Sequence, residues 1–263
     1  MGKPQNITLK EAAGLIQDGQ QITFGGFTIW RRPMAFVYEL IRQGKITVNG
    51  AVVRDMGVKI EPGRDYITVG GRAITPDSKK VYLMLNKPAG ILVTAHDTHH
   101  RKTVLDLIGD VGVRVFPVGR LDKDTEGLLL LTNDGDLSFA LTHPSREVTK
   151  EYHATVVGVP EEQQLGQFRQ GIIIEGRRTA PAQVDIIKSG NGYAILRVRI
   201  HEGRKRQVRR MCQAIGHPVS RLLRVQLGPL TMEGLAPGSF RHLSEKELSA
   251  LQALLPDWSI NEK

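Results

Sequence analysis

The polar loop Gly119-Arg120-Leu121-Asp122-Lys123-Asp124-Thr125-Glu126-Gly127 runs directly into Leu128-Leu129-Leu130-Leu131. Consecutive leucines lack the alternation of a half-exposed strand, so they predict a strand covered on both faces. The apolar run from Val113 to Val118 predicts a second strand on the other side of the loop. A polar loop anchored at both ends holds a carboxylate in one place. Arg120, two residues before Asp122, is placed to orient that carboxylate or a phosphate. Taken alone, the segment is also compatible with an ordinary turn closed by an arginine–aspartate ion pair.

Charge narrows the class of partner. The 263 residues include 36 Lys and Arg against 27 Asp and Glu, a formal net charge of +9. Such an excess favours a polyanion, because neutralising phosphates releases counterions. Hydrophobic residues make up 40%, enough for a core, and the length fits a small domain plus a medium one. A single cysteine, Cys212, excludes an internal disulfide and suits a reducing compartment. No apolar run approaches the ~18 residues of a membrane span, and the start lacks the order of a signal peptide. The expectation is a cytoplasmic protein without a membrane partner.

Periodicity predicts helices over Thr8 to Asp18 and Pro33 to Gln43, with a strand over Gln21 to Phe27. Asn49-Gly50 joins short strands at Ile46 to Val48 and Val52 to Val53, a strong hairpin signal. Tyr66 to Val69 predicts one more strand. The turn-rich stretch Thr75-Pro76-Asp77-Ser78-Lys79-Lys80 marks a boundary, giving domains over 1–75 and 80–255. Beyond it, strands are expected at Val81 to Leu85, Gly90 to Thr94, Tyr152 to Val157, Ile172 to Glu175, Ala182 to Ile187 and Tyr193 to Ile200. Helices are expected at Thr103 to Leu107, Asp136 to Leu141 and Lys205 to Ile215. The fold class is α+β, with a mixed, mostly antiparallel sheet in the second domain.

The helix from Lys205 places Val208, Met211, Cys212 and Ile215 on one apolar face. Arg206, Arg209, Arg210 and Gln213 then project from the other. Cys212 is therefore expected in the core. His96-Asp97-Thr98-His99-His100 looks like a metal cluster but has no second ligand set, so no metal site is expected.

The polar loop resembles the signature of the ribosomal pseudouridine synthases of the RsuA and RluB type, Gly-Arg-Leu-Asp-x-x-Thr-x-Gly. Further segments match in order: Asn86-Lys87-Pro88-Ala89-Gly90, Lys150-Glu151-Tyr152, and Glu202-Gly203-Arg204-Lys205-Arg206-Gln207-Val208-Arg209-Arg210-Met211. Arg221-Leu222-Leu223-Arg224 and Leu227-Gly228-Pro229-Leu230 close the series. The resemblance implies a pseudouridine synthase fold acting on ribosomal RNA, that of the large subunit in preference to the small. It implies Asp122 as the catalytic carboxylate, nucleophile or base on the sugar. Arg209 is the expected guanidinium beside it, and Tyr152 stacks on the flipped base. Lys87, Arg120, Lys150, Arg204, Arg206 and Arg210 are expected RNA contacts, with Leu223 an apolar wall. The base leaves the ribose through nitrogen and returns through carbon without redox change, so no cofactor is expected. A monomer is expected. The competing function is a catalytically silent RNA-binding assembly factor.

Glu39 to Gly50 resembles the helix-to-hairpin part of the alpha-L RNA-binding motif. Residues 5–42, including Phe24-Gly25-Gly26-Phe27, resemble instead the beginning of a coenzyme A-transferase alpha subunit. The first domain is thus expected to be an atypical, chimeric alpha-L-like domain.

Overall fold

The computed structural model describes residues 34–61, 64–74, 79–94, 97, 99 and 101–254. The helix expected at Thr8 and the strand expected at Gln21 lie outside them. The chain divides into two compact units, Met1–Ser78 and Lys79–Lys263.

In the first unit, α1 (Met34–Arg42) precedes β1 (Ile46–Val48), β2 (Ala51–Val52), β3 (Ile67–Val69) and β4 (Arg72–Ile74). The strands form an antiparallel sheet in the order β2-β1-β3-β4. Asn49 and Gly50 both take positive φ, 52° and 83°, as a tight hairpin turn between β1 and β2 requires. Phe36 and Leu40 of α1 are buried, and Ile46 and Val69 pack against them.

The second unit opens with β5 (Tyr82–Lys87), α2 (Val104–Ile108), β6 (Phe116–Pro117), β7 (Thr125–Thr132), α3 (Gly135–Thr142) and β8 (Lys150–Val157). It continues through α4 (Glu162–Gln170), β9 (Ile173–Ile174), β10 (Arg177–Arg178), β11 (Gln183–Gly190), β12 (Tyr193–Ile200) and α5 (Gln207–Ala214). The last elements are β13 (Val219–Leu227), β14 (Leu230–Thr231), β15 (Phe240–His242) and α6 (Glu245–Gln252). A nine-stranded sheet carries the order β11-β12-β8-β13-β7-β5-β15, with β14 on β13 and β6 on β7. Within this sheet β13 and β7 run parallel, and the other pairs are antiparallel.

The leucine run is the centre of β7, and all four residues are fully buried. Leu129 and Leu131 join Leu83, Leu85, Val104 and Ile108 on one face. Leu128 and Leu130 join Met84, Leu137, Leu141 and Leu251 on the other. Each such leucine contributes roughly 1.5–3 kcal/mol of burial, so the strand that follows the polar loop is a rigid support. A third cluster packs Leu165, Phe168, Val208, Met211 and Cys212 of α4 and α5 onto Ala154, Val156, Leu196, Val198 and Leu222. Among the described residues, no helix is long and apolar enough to cross a membrane.

Several sequence expectations need correction. Gly90 to Thr94 forms no strand; Leu92 makes only an isolated bridge to Thr103. The strand expected over Val113 to Val118 shrinks to Phe116–Pro117, where proline lacks a ladder donor and Gly119 turns the chain. The central strand β13 was not anticipated, because arginines interrupt its apolar pattern. Nor was α4, whose polar sequence buries little besides Leu165 and Phe168.

Candidate active site

The loop before β7 is fixed from two sides. Beneath it, Lys87 ends β5 with its side chain fully buried. Its Nζ lies 3.1 Å from Pro88 O, 3.2 Å from Asp122 O, 3.2 Å from Lys123 O and 2.8 Å from Thr125 O. A single ammonium thus gathers the carbonyls of the turn. Burial pulls Lys87 down to about 8, against the opposing fields of Asp124, Glu126 and Asp122. Asp122 O also accepts from Thr125 N at 3.0 Å, and Lys123 O from Gly90 N at 2.8 Å.

Against the loop's other side stands the start of α5. Arg206 donates to Asp124 Oδ1 and Oδ2 at 3.0 and 2.9 Å. Arg209 donates to Asp124 O at 2.8 Å and Val219 O at 3.1 Å, with Nη2 3.3 Å from Asp124 Oδ2. The Arg206 hydrogen bonds hold the Asp124 carboxyl below the usual carboxylate range. Glu126 is engaged in the same way: Arg221 donates to both of its oxygens at 2.9 Å and lowers its pKa.

Asp122 differs from these two acids. It is half-buried, and among the hydrogen bonds and ion pairs of the described residues none involves its side chain. The field of Asp122 nevertheless reaches the Arg206 guanidinium. The loop therefore carries three carboxylates, two of them matched to arginines and the third left open.

Strand register supplies the floor. Tyr152 of β8 stands opposite Arg224 of β13, Arg224 opposite Gly127 of β7, and Gly127 opposite Lys87 of β5. Directly opposed residues share a face. Tyr152 packs against the cluster holding α5 and also against the one holding Leu121, the neighbour of Asp122. At Gly127, φ is +106° and a Cβ would come within 2.2 Å of Arg224 O, so glycine alone fits between the strands.

The structure revises several expected roles. Arg209 meets Asp124 rather than Asp122, because the turn between Asp122 and Thr125 presents Asp124 to α5. Leu223 stands opposite His153 and Glu126, on the face away from Tyr152; Leu222, one residue earlier, is buried on the tyrosine's face. Lys87 is enclosed and has no path to RNA. Arg204 donates to Arg177 O at 3.1 Å, Arg178 O at 2.6 Å and Glu202 at 3.2 Å, tying the β9–β10 hairpin to the start of α5. Arg210 pairs with Glu175 at 2.7 Å. Arginines expected to hold phosphates thus first hold protein. Arg120 is exposed on the loop. Lys150 donates to His201 O at 3.3 Å and is pulled down to about 8 by burial and by Arg224.

Asp124, Glu126 and Arg224 escaped sequence reasoning. The alternate acids 122, 124 and 126 were a signal for the first two, facing a chain rich in arginine. Cys212 is buried, and burial pushes its thiol up to about 12. Asp97 accepts from Arg101 and from the backbone of His99, closing a turn; residues 96, 98 and 100 lie outside those described. Among the described residues no cluster of three or more His, Cys, Asp or Glu is arranged for a metal ion.

Comparison with known proteins places this arrangement. The family model for RNA pseudouridylate synthase matches residues 81–214. That for coenzyme A transferase matches residues 6–80, extending beyond the stretch 5–42 in which the sequence had shown this likeness. A ribosomal large subunit pseudouridine synthase B of Bacillus subtilis (strain 168) is 43% identical over 218 residues, 82% of this chain and 88% of its own. An uncharacterized RNA pseudouridine synthase of Aquifex aeolicus (strain VF5) is 42% identical over 214 residues, 81% of this chain and 86% of its own. A crystal structure of a pseudouridylate synthase superposes with a TM-score of 0.62 at 32% identity, covering 82% of this chain and 93% of that one. The chain belongs to the RNA pseudouridylate synthase family.

Proposed function

We propose that the protein isomerises a uridine of large-subunit ribosomal RNA to pseudouridine, with Asp122 as the attacking carboxylate. The observation that carries this reading is the contrast within one loop: Asp124 and Glu126 are matched to arginines, whereas Asp122 sits half-buried beside them without a side-chain partner among the described residues. A carboxylate left open on a loop fixed by Lys87 and Arg206 suits a nucleophile. Likeness to the Bacillus large-subunit enzyme supports the choice of RNA.

In this reading the target nucleotide leaves its stack and enters above Tyr152, whose ring stacks on the base. Asp122 attacks the sugar carbon as the bond to the base nitrogen breaks. The base turns, its ring carbon bonds to the sugar, and aspartate leaves. The proton lost from that ring carbon is balanced by one gained at the freed nitrogen, and in this reading the Tyr152 hydroxyl assists the transfer. Isomerisation needs no redox partner, so the enzyme works without a cofactor; in the same reading it acts as a monomer. Arg209, held on Asp124, keeps positive potential beside the nucleophile. The helix and sheet of the first unit serve as an RNA grip in the manner of an alpha-L motif.

The test is to incubate the protein with unmodified ribosomal RNA and map pseudouridine, beside Asp122→Asn. Modification by the parent alone supports the proposal. RNA binding with no modification by either protein would instead favour the silent assembly factor.

A further inference from the structure

Around the site, positive charge is matched to negative almost everywhere. Arg206 has Asp124, Arg221 has Glu126, and Arg210 has Glu175. Lys150 and Arg224 break this pattern. Lys150 begins β8 two residues before Tyr152 and so lies on the tyrosine's face of the sheet. Arg224 stands opposite Tyr152 on β13 and is only 4% exposed.

The two cations are close enough for the charge of Arg224 to depress Lys150. Neither forms an ion pair among the described residues. Lys150 Nζ has the His201 carbonyl at 3.3 Å, and Arg224 Nε has the Leu128 carbonyl at 2.8 Å. Arg224 Nη2 is enclosed with no acceptor among the described residues. Glu151, next to Lys150 in sequence, faces the opposite way and is taken by Arg199 and Arg197. Two like charges side by side in a largely dry interior are unfavourable unless an anion joins them.

We propose that Lys150 and Arg224 form an anion subsite in the floor of the active site, filled by a backbone phosphate of the RNA next to the target nucleotide. This rests on reading the site as one for uridine in RNA. Lys150, half-buried, makes the contact, and Arg224 behind it supplies field and orientation. A phosphate held here fixes the flipped nucleotide relative to Asp122, the positioning work that backbone contacts do in nucleic-acid recognition.

The test measures affinity for a substrate stem-loop whose phosphates flanking the target uridine are replaced, one at a time, by neutral methylphosphonates. One replacement should weaken binding to the wild-type protein about tenfold, the scale of a single charge-assisted contact. Lys150→Gln should bind the intact RNA with the same loss and show no further loss on that replacement. Arg224→Lys, which keeps a cation in the core, should give an intermediate loss. An equal penalty in wild type and Lys150→Gln for every methylphosphonate overturns the subsite. So does tolerance of every methylphosphonate together with low-millimolar binding of inorganic phosphate, which would make the pair a free-anion site. Pseudouridine formation is scored on the intact RNA in parallel. Its absence from wild type would defeat the functional reading itself, whereas turnover without Lys150-dependent coupling would defeat only the subsite.

Discussion

Arg206 grips both carboxylate oxygens of Asp124, at 3.0 and 2.9 Å, from a backbone position with φ of 52°. A left-handed conformation costs an arginine on the order of 1–2 kcal/mol. The bidentate pair offsets that cost and fastens α5 to the loop that carries Asp122.

Asp124→Asn is expected to break the bidentate Arg206 pair and the Arg209 ion pair, leaving Arg209 only its bonds to the residue-124 and Val219 carbonyls. Single-turnover pseudouridine formation should slow by about ten- to a hundredfold, the range seen when positioning contacts are lost. RNA affinity should change by less than about threefold. A variant that turns over at the parental rate would remove Asp124 from the positioning set.

Lys87→Met removes the ammonium from beneath the loop and takes a donor from each carbonyl it gathers, although Asp122 O and Lys123 O keep their backbone donors. The expected loss of stability is on the order of 1–3 kcal/mol, read from the urea midpoint. Because Lys87 is enclosed, the salt dependence of RNA binding should keep its slope. A stable variant whose slope falls by about one would mean that Lys87 had been a phosphate contact after all.

Gly127→Ala forces a Cβ to within 2.2 Å of Arg224 O at a φ of +106°. The strands must separate or the backbone must turn, at a cost of roughly 2–4 kcal/mol. Thermal unfolding of the purified variant measures it. An unchanged midpoint would show that β7 and β13 can part here freely.

Lys150 gives a pH signature. Burial and Arg224 bring it to about 8, so it is charged below that value and loses its proton above it. The affinity advantage of wild type over Lys150→Gln should be full near about pH 7 and shrink toward about pH 9.5. Where the free lysine is neutral, binding RNA should take up a proton, detectable as a buffer-dependent heat. A constant advantage across that range would contradict the assignment.

Much of this was readable from residues. The leucine run marked the buried strand, Asn49-Gly50 marked the hairpin, and the apolar stripe through Met211 and Cys212 marked the packed face of α5. Asp122 stood out through the resemblance of its loop to the family signature, since the loop alone was also compatible with an ion-paired turn. What stayed hidden was tertiary. Sequence spacing does not say which of Asp122 and Asp124 a helix arginine will meet, since a tight turn reverses the order in space. Arg224 reads as a surface residue until β13 is known to be central. The exchange of Leu223 for Leu222 is a register effect, in which one residue decides the face.

The strand β13 has a further consequence for how the protein comes into being. In space it sits between β8 and β7, yet in the chain it follows both, with Leu222 to Arg224 pairing to Thr125 to Gly127. A polypeptide still emerging during synthesis can therefore possess its aspartate and its tyrosine while the gap between their strands stands vacant. Only when the segment from Val219 to Leu227 enters that gap does Arg221 reach Glu126. Assembly of this surface thus waits on β13, and a product that stops short of Val219 carries Asp122 and Tyr152 on strands that nothing yet joins.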